Sequence, residues 1–192
     1  MGRIVVSQNV SLDGVIQDPT GEEGFERGGW FGRVSDRDRE EWAALALVES
    51  FEAEALLLGR RSYEFFAARW PSRTGELADR LNNVSKHVVS STLENPEWNN
   101  TTILAGDTVV QVSKLKQQIS GTIVVYASGQ LVRTLMEHDV VDELRLMIYP
   151  VLLGGGQRLF DDTSEPKSVR NVMARKIGDS LVALTYEFVR SS

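Results

Sequence analysis

Two segments join an apolar run, a glycine and the opening residues of a helix, an arrangement that leaves main-chain N–H groups free to hold an anion. In Leu58-Gly59-Arg60-Arg61-Ser62 the glycine turns the chain, and two guanidinium groups add fork-shaped donors suited to a phosphate monoester. In Tyr126-Ala127-Ser128-Gly129-Gln130-Leu131-Val132, Ser128 can cap the helix or donate to a phosphate oxygen. Ser90-Ser91-Thr92 places hydroxyls at a strand end. Asn9 and Asp13, in Asn9-Val10-Ser11-Leu12-Asp13-Gly14, can hydrogen-bond a polar ligand, and Asp13 can relay a proton. Leu152-Leu153-Gly154-Gly155-Gly156 lets a backbone approach a flat ring, or lets a loop flex. Each segment also has a plain reading as a turn, a cap or a connection, and spacing alone leaves the choice open.

Composition narrows the chemistry. The 192 residues carry a net charge of -6, and 42% are hydrophobic, which suits one domain over 1–192 and gives no basic footprint for nucleic acid. No cysteine occurs and only two histidines, His87 and His138, so thiolate zinc, iron–sulfur and multi-histidine metal sites are not expected. No apolar run nears the roughly 20 residues of a membrane span, and no signal peptide is evident. A cytoplasmic protein is expected. G-x-S-x-G and the P-loop pattern are both absent.

The elements that must position these residues follow from periodicity. Residues 3–10 read as a buried strand, and 18–33 as a long mobile glycine-rich loop with apolar anchors Phe25, Trp30 and Phe31, of which Trp30 is a candidate substrate lid. A helix capped at Ser35 or Asp36 runs to about Glu54, its Ala44, Leu47, Val48 and Phe51 spaced as one buried stripe. Ala55 to Leu58 is a buried strand. A short helix starts at Ser62, and residues 76–83 form another. Strands follow at 86–90, 101–105 and 122–127, with helices around Val112–Ile119 and from Gly129. Residues 143–149 alternate like a half-buried strand, and 169–177 with 181–189 form a hairpin about Gly178-Asp179-Ser180. Strands alternating with helices before a terminal hairpin predict a three-layer α/β/α sandwich around a mostly parallel mixed sheet.

In this order the segments resemble the dihydrofolate-reductase-like superfamily, and specifically stand-alone relatives of the reductase domain of the riboflavin-biosynthesis deaminase–reductase. Ser11-Leu12-Asp13-Gly14 is similar to its S-x-D-G, Gly59-Arg60-Arg61-Ser62 to its G-R-x-[ST] turn, and Lys86 to Ser91 to its strand ending in paired serines. Ser128-Gly129 stands where the family usually has two glycines, and Val141 to Leu144 and Pro150 to Gly156 match its C-terminal half.

The resemblance implies NADPH as cofactor. Arg60 and Arg61 would meet its 2′-phosphate with Gly59 and Ser62 beside them, and Ser90 and Ser91 would line the adenosine. Ser128, Gly129, Gln130, Leu131 and Val132 would cradle the pyrophosphate. Asn9 and Asp13 would serve catalysis; Trp30, Leu153, Gly154 and Gly155 would border the substrate. The implied activity is hydride transfer to a small pterin- or pyrimidine-like substrate, similar to 5-amino-6-(5-phosphoribosylamino)uracil reductase. The alternatives are a dihydrofolate reductase proper, whose pterin-binding carboxylate would fall near Asp36 or Asp38, and a non-catalytic nucleotide-binding module. The deaminase half is not expected in a chain without cysteine. A homodimer is expected, with the strand near 143–149 or the C-terminal hairpin as interface.

Overall fold

A computed structural model describes residues 1–160 and 165–189. Among them the chain runs β1 (Arg3–Ser11), α1 (Asp36–Glu52), β2 (Ala53–Gly59), α2 (Arg60–Ala67), α3 (Glu76–Asn83), β3 (Ser85–Val89) and β4 (Thr101–Leu104). It continues through α4 (Thr108–Gln118), β5 (Thr122–Tyr126), α5 (Gly129–Glu137), β6 (Glu143–Tyr149), β7 (Val169–Ile177) and β8 (Leu181–Phe188). The strands hydrogen-bond in the order β4-β3-β2-β5-β1-β6-β8-β7. Pairing is parallel along β4-β3-β2-β5 and antiparallel along β6-β8-β7, so the sheet is mixed and ends in the expected hairpin.

The chain divides into two compact units. Unit 1 is Met1–Val6 with Leu45–Asp142, and unit 2 is Ser7–Ala44 with Glu143–Ser192. In unit 1, β2 is apolar almost throughout because a strand inside a parallel sheet is covered on both faces. Leu56 and Leu58 pack with Tyr63, Leu81, Val88, Trp98 and Val124, each such burial contributing about 1.5–3 kcal/mol. One charge lies inside this core. Lys86 is fully buried, and its Nζ donates to the carbonyls of Asn82, Val84 and Asn99 at 3.0, 2.8 and 2.9 Å, 4.4 Å from the Trp98 ring centroid. Burial pushes its pKa down to about 8, with the Arg80 charge adding to the effect.

Unit 2 is organised by a buried carboxylate. Asp38 is 1% exposed and accepts the Ser180 hydroxyl at 2.7 Å and the N–H groups of Asp179 (2.7 Å), Ser180 (2.9 Å) and Ser35 (3.2 Å). It thereby caps α1 and closes the β7–β8 hairpin. Gly178 (φ +57) must be glycine there, because a Cβ would lie 2.5 Å from Asp38 Oδ1. Burial opposes ionisation of Asp38, but these four donors outweigh it and hold its pKa well below the usual carboxylate range.

Two expectations are corrected. The stripe on α1 faces outward: Val48 is 57% and Phe51 56% exposed, while Glu49 and Ser50 on the opposite side are buried. The helix ends at Glu52 and runs straight into β2, and the Arg80 guanidinium binds the carbonyls of Ser50 and Ala53 across that junction, which fixes its rotation. The alternation in β6 likewise does not mark an open face. β6 has a strand on each side, and Glu143, Leu144, Leu146, Met147 and Tyr149 are all buried.

Asp38→Asn should lower the unfolding free energy by about 2–3 kcal/mol, since one amide oxygen cannot replace a carboxylate serving four donors. The contribution of Asp38 is present above its unfolded pKa, near 4, and is lost as pH falls toward its lower folded value. Urea unfolding at pH 7 and pH 3 should therefore show the gap between wild type and variant narrowing at the lower pH.

Candidate functional site

In unit 1 the parallel register brings three strand ends to one edge of the sheet. Gly59 of β2 lies opposite Val89 of β3, and Leu57 opposite Val125 of β5, so the turns at 59–62, 90–92 and 126–129 all leave from C-terminal strand ends, where open α/β sheets bind ligands. The first and last are tied directly. Gly59 N–H donates to Ser128 Oγ at 3.0 Å, Ser128 N–H donates to Ser62 Oγ at 2.9 Å, and the Ser128 hydroxyl donates to the Tyr126 carbonyl at 2.9 Å. These two helix starts therefore share one rim of the sheet.

That weave corrects the part expected of the Ser128 side chain. Its hydroxyl makes no cap bond to α5 and is committed to Tyr126 and Gly59, so it is not a spare phosphate donor. The main chain offers the donors instead. The first bond into α5 is Val132 N–H to Ser128 O at 2.9 Å. Among the described residues the N–H groups of Gly129, Gln130 and Leu131 have no acceptor, as expected of a first helical turn. Ala127 (φ +49) and Ser128 (φ +57) are consecutive left-handed residues, a conformation costing roughly 1–2 kcal/mol for a residue with a Cβ. Arg60 and Arg61 open α2 on the surface, Arg60 sharing its charge with Glu64 at 3.4 Å. Ser90 closes its own turn, its Oγ accepting Thr92 and Leu93 N–H at 3.1 and 2.9 Å, and Ser91 is exposed.

In unit 2 the Asp13 carboxylate organises the triple-glycine loop. It accepts Ser11 Oγ–H at 2.7 Å, Leu153 N–H at 3.1 Å and Gly154 N–H at 2.7 Å. The Ser11 bond, with those two N–H groups behind it, overcomes partial desolvation and brings the Asp13 pKa down to about 2. At neutral pH Asp13 is therefore ionised, and its contacts make it a clamp on the loop. Arg27 crosses the other side of the loop, donating to the Leu153 carbonyl at 2.6 Å. At Gly156 (φ +118) a Cβ would strike Phe25 and Val15, each at 2.9 Å, so this glycine accommodates the protein's own side chains.

The long loop is tied down at several points. Asp18 accepts Glu22 and Phe25 N–H at 2.9 and 3.0 Å. Trp30 is fully buried, with its indole N–H on the Gln17 carbonyl at 3.0 Å and its ring edge-on to Tyr149 at 5.2 Å. It anchors the loop and presents no surface, which corrects its reading as a lid. Asn9 is half-buried and accepts the Trp42 indole N–H at 3.0 Å. Trp42 and Arg27 both escaped the sequence reading, because each meets its partner 33 or more residues away and no local spacing signals that. Asp36 and Asp38 are not free for a pterin: Asp38 is consumed by the hairpin, and Asp36 pairs with Arg39 on the surface. Among the described residues no cluster of His, Asp or Glu could hold a metal ion, and no helix is long and apolar enough to cross a membrane.

Folded this way, the chain is an α/β protein of the dihydrofolate-reductase-like kind. A protein from Shewanella sp. PV-4 provisionally named for riboflavin biosynthesis matches 98% of this chain and 99% of its own at TM-score 0.78 and 21% identity. Dihydrofolate reductase from Enterococcus faecalis, solved with NADP(H), matches 97% and 96% at TM-score 0.57 and 13% identity. In sequence the chain belongs to the RibD C-terminal domain family, whose profile matches residues 3–183. It is 28% identical over 97% of its length to the uncharacterized protein YyaP of Bacillus subtilis, covering 95% of that protein. Family and geometry together support a reductase-type function.

Ser128→Ala should cost about 1–2 kcal/mol by leaving Gly59 N–H without its acceptor. Ser128→Gly should be about 1 kcal/mol more stable than Ser128→Ala, because it relieves the left-handed strain. Urea unfolding of both variants measures the difference, and equal stabilities would mean the turn is unstrained.

Proposed function

We propose that the protein is an NADPH-dependent reductase acting in the cytoplasm on a small pyrimidine- or pterin-like substrate. The observation that carries this reading is the Ser128 weave, which sets two helix starts side by side on one sheet edge. Together they offer the N–H groups of residues 129–131 and the guanidinium groups of Arg60 and Arg61. This donor set fits a phosphorylated dinucleotide: the α5 start suits a pyrophosphate, and an arginine fork suits the 2′-phosphate that distinguishes NADPH from NADH. Ser90 and Ser91 would border the adenosine.

When bound, NADPH supplies a hydride to an electron-poor C=N or C=O carbon of the substrate, and the neighbouring nitrogen or oxygen takes a proton. In unit 2 the residues proposed for the substrate are Asn9 and the Leu153-Gly154-Gly155 backbone. The Asp13 clamp and Arg27 hold that backbone in place, which limits the motion the loop would otherwise lose on binding. The ionised Asp13 does not donate the proton itself. Water is the proposed immediate donor. A pterin reductase proper is the weaker reading, since both nearby carboxylates are engaged elsewhere.

Arg60→Ala should weaken NADPH about tenfold or more, the size of one charge-assisted contact, and NADH less than twofold. Glu64→Gln removes the competing carboxylate and should tighten NADPH. Fluorescence titration with both nucleotides reads the difference, and equal losses for the two would count against a 2′-phosphate contact.

We further propose a homodimer in which the outward stripe of α1 meets its own copy. Val48 and Phe51 stand open on a helix whose polar side is turned inward, and an apolar patch is self-complementary about a twofold axis. Sedimentation should show a dimer at micromolar concentration, with Phe51→Glu shifting it to monomer. A monomeric wild type would exclude this interface.

A further inference from the structure

β1 lies inside the sheet, and from Ile4 to Ser11 every residue is buried except Ser7 and Asn9, which are half-exposed. These two are two positions apart, so they share a face of the strand. A polar pair left open on an interior strand is a place where a ligand can reach the sheet.

An asparagine on such a face can serve either kind of ligand. Its oxygen accepts and its nitrogen donates, and half a turn of the amide exchanges them. Trp42 removes that freedom. An indole N–H only donates, and it lies 3.0 Å from Asn9 Oδ1. The flipped amide would set donor against donor. Trp42 is itself held: Phe31 meets it edge-on at 4.9 Å and 90°, and Phe31 in turn lies 5.6 Å from the ring of buried Tyr149. The Asn9 nitrogen is thus turned away from Trp42, and among the described residues nothing accepts its two N–H groups.

We propose that Trp42 is a positioning residue that locks the Asn9 amide as a donor toward the substrate, so that the site selects rings bearing a carbonyl oxygen over rings bearing an exocyclic amine at that point. This deepens the reductase reading and rests on it. It divides the pyrimidine class into oxo-pyrimidines, which bind, and amino-pyrimidines, which meet a donor with a donor. A site built to hydrogen-bond one group rejects the wrong group strongly, because its own polar atoms are left unpaired.

Calorimetric titration of the NADPH-loaded protein with 5,6-diaminouracil and with 2,4,5,6-tetraaminopyrimidine tests this, because the pair differs at both ring carbonyls. Wild type should prefer the uracil by about tenfold or more. Trp42→Phe keeps a ring against Phe31 but lacks the N–H, so the ratio should fall toward one. Asn9→Asp still satisfies Trp42 but offers an acceptor, so the preference should reverse. A structural role alone would weaken both ligands equally and leave the ratio unchanged in Trp42→Phe; that result overturns the assignment while the reductase reading stands. If NADPH does not bind wild type, the reductase reading falls, and this inference falls with it.

Discussion

A main-chain N–H withdrawn from water must find an acceptor, and in this protein side-chain oxygens supply several of the acceptors at the turns. Asp38 collects the start of α1 and the β7–β8 hairpin, Asp13 the glycine loop, and Asp18 the long loop. Ser128 and Ser62 join the two helix starts, and Ser90 closes the turn after β3. The sheet supplies rigid edges, but these few oxygens decide where each loop lies. The candidate site is therefore a set of turns frozen by polar side chains of the chain itself, and the donors left over are the ones available to a ligand.

The two units use this device differently. In unit 1 hydroxyls bring the N-terminal helix turns together and close the turn after β3, leaving main-chain donors at the start of α5. In unit 2 carboxylates do the holding, and their ionisation is part of the structure. Asp13 and Asp38 are both held ionised by the groups they bind. A carboxylate in that state orients its neighbours but does not supply protons.

What the sequence made legible follows from the range of each signal. The strand and helix order was readable because apolar periodicity is local, and 76–83 and 143–149 come out with those bounds. The shared rim at 59–62 and 128–131 was readable because parallel βα units place such turns at one edge. The α1 stripe misled, since periodicity identifies a face but not the direction it points; a contact from Arg80 to the helix end fixed that. β6 misled because its alternation predicts one open face, whereas Leu144, Leu146 and Met147 are buried on both of its faces. Trp30 was taken for a lid on the strength of its glycine-rich surroundings, yet Gln17 and Tyr149 hold it inside. The Asn9–Trp42 bond leaves no trace in local spacing at all.

The interleaving of the two units has a consequence for synthesis. All of unit 1 has left the ribosome once residue 142 emerges, and domains commonly form as units during translation. Unit 2 begins at Ser7 but cannot close until Asp179 and Ser180 arrive to meet Asp38. Until they emerge, the nascent chain carries a buried-type carboxylate whose partners in that hairpin are still unmade. A hairpin translated about 140 residues after Asp38 is the one that lets the start of α1 settle.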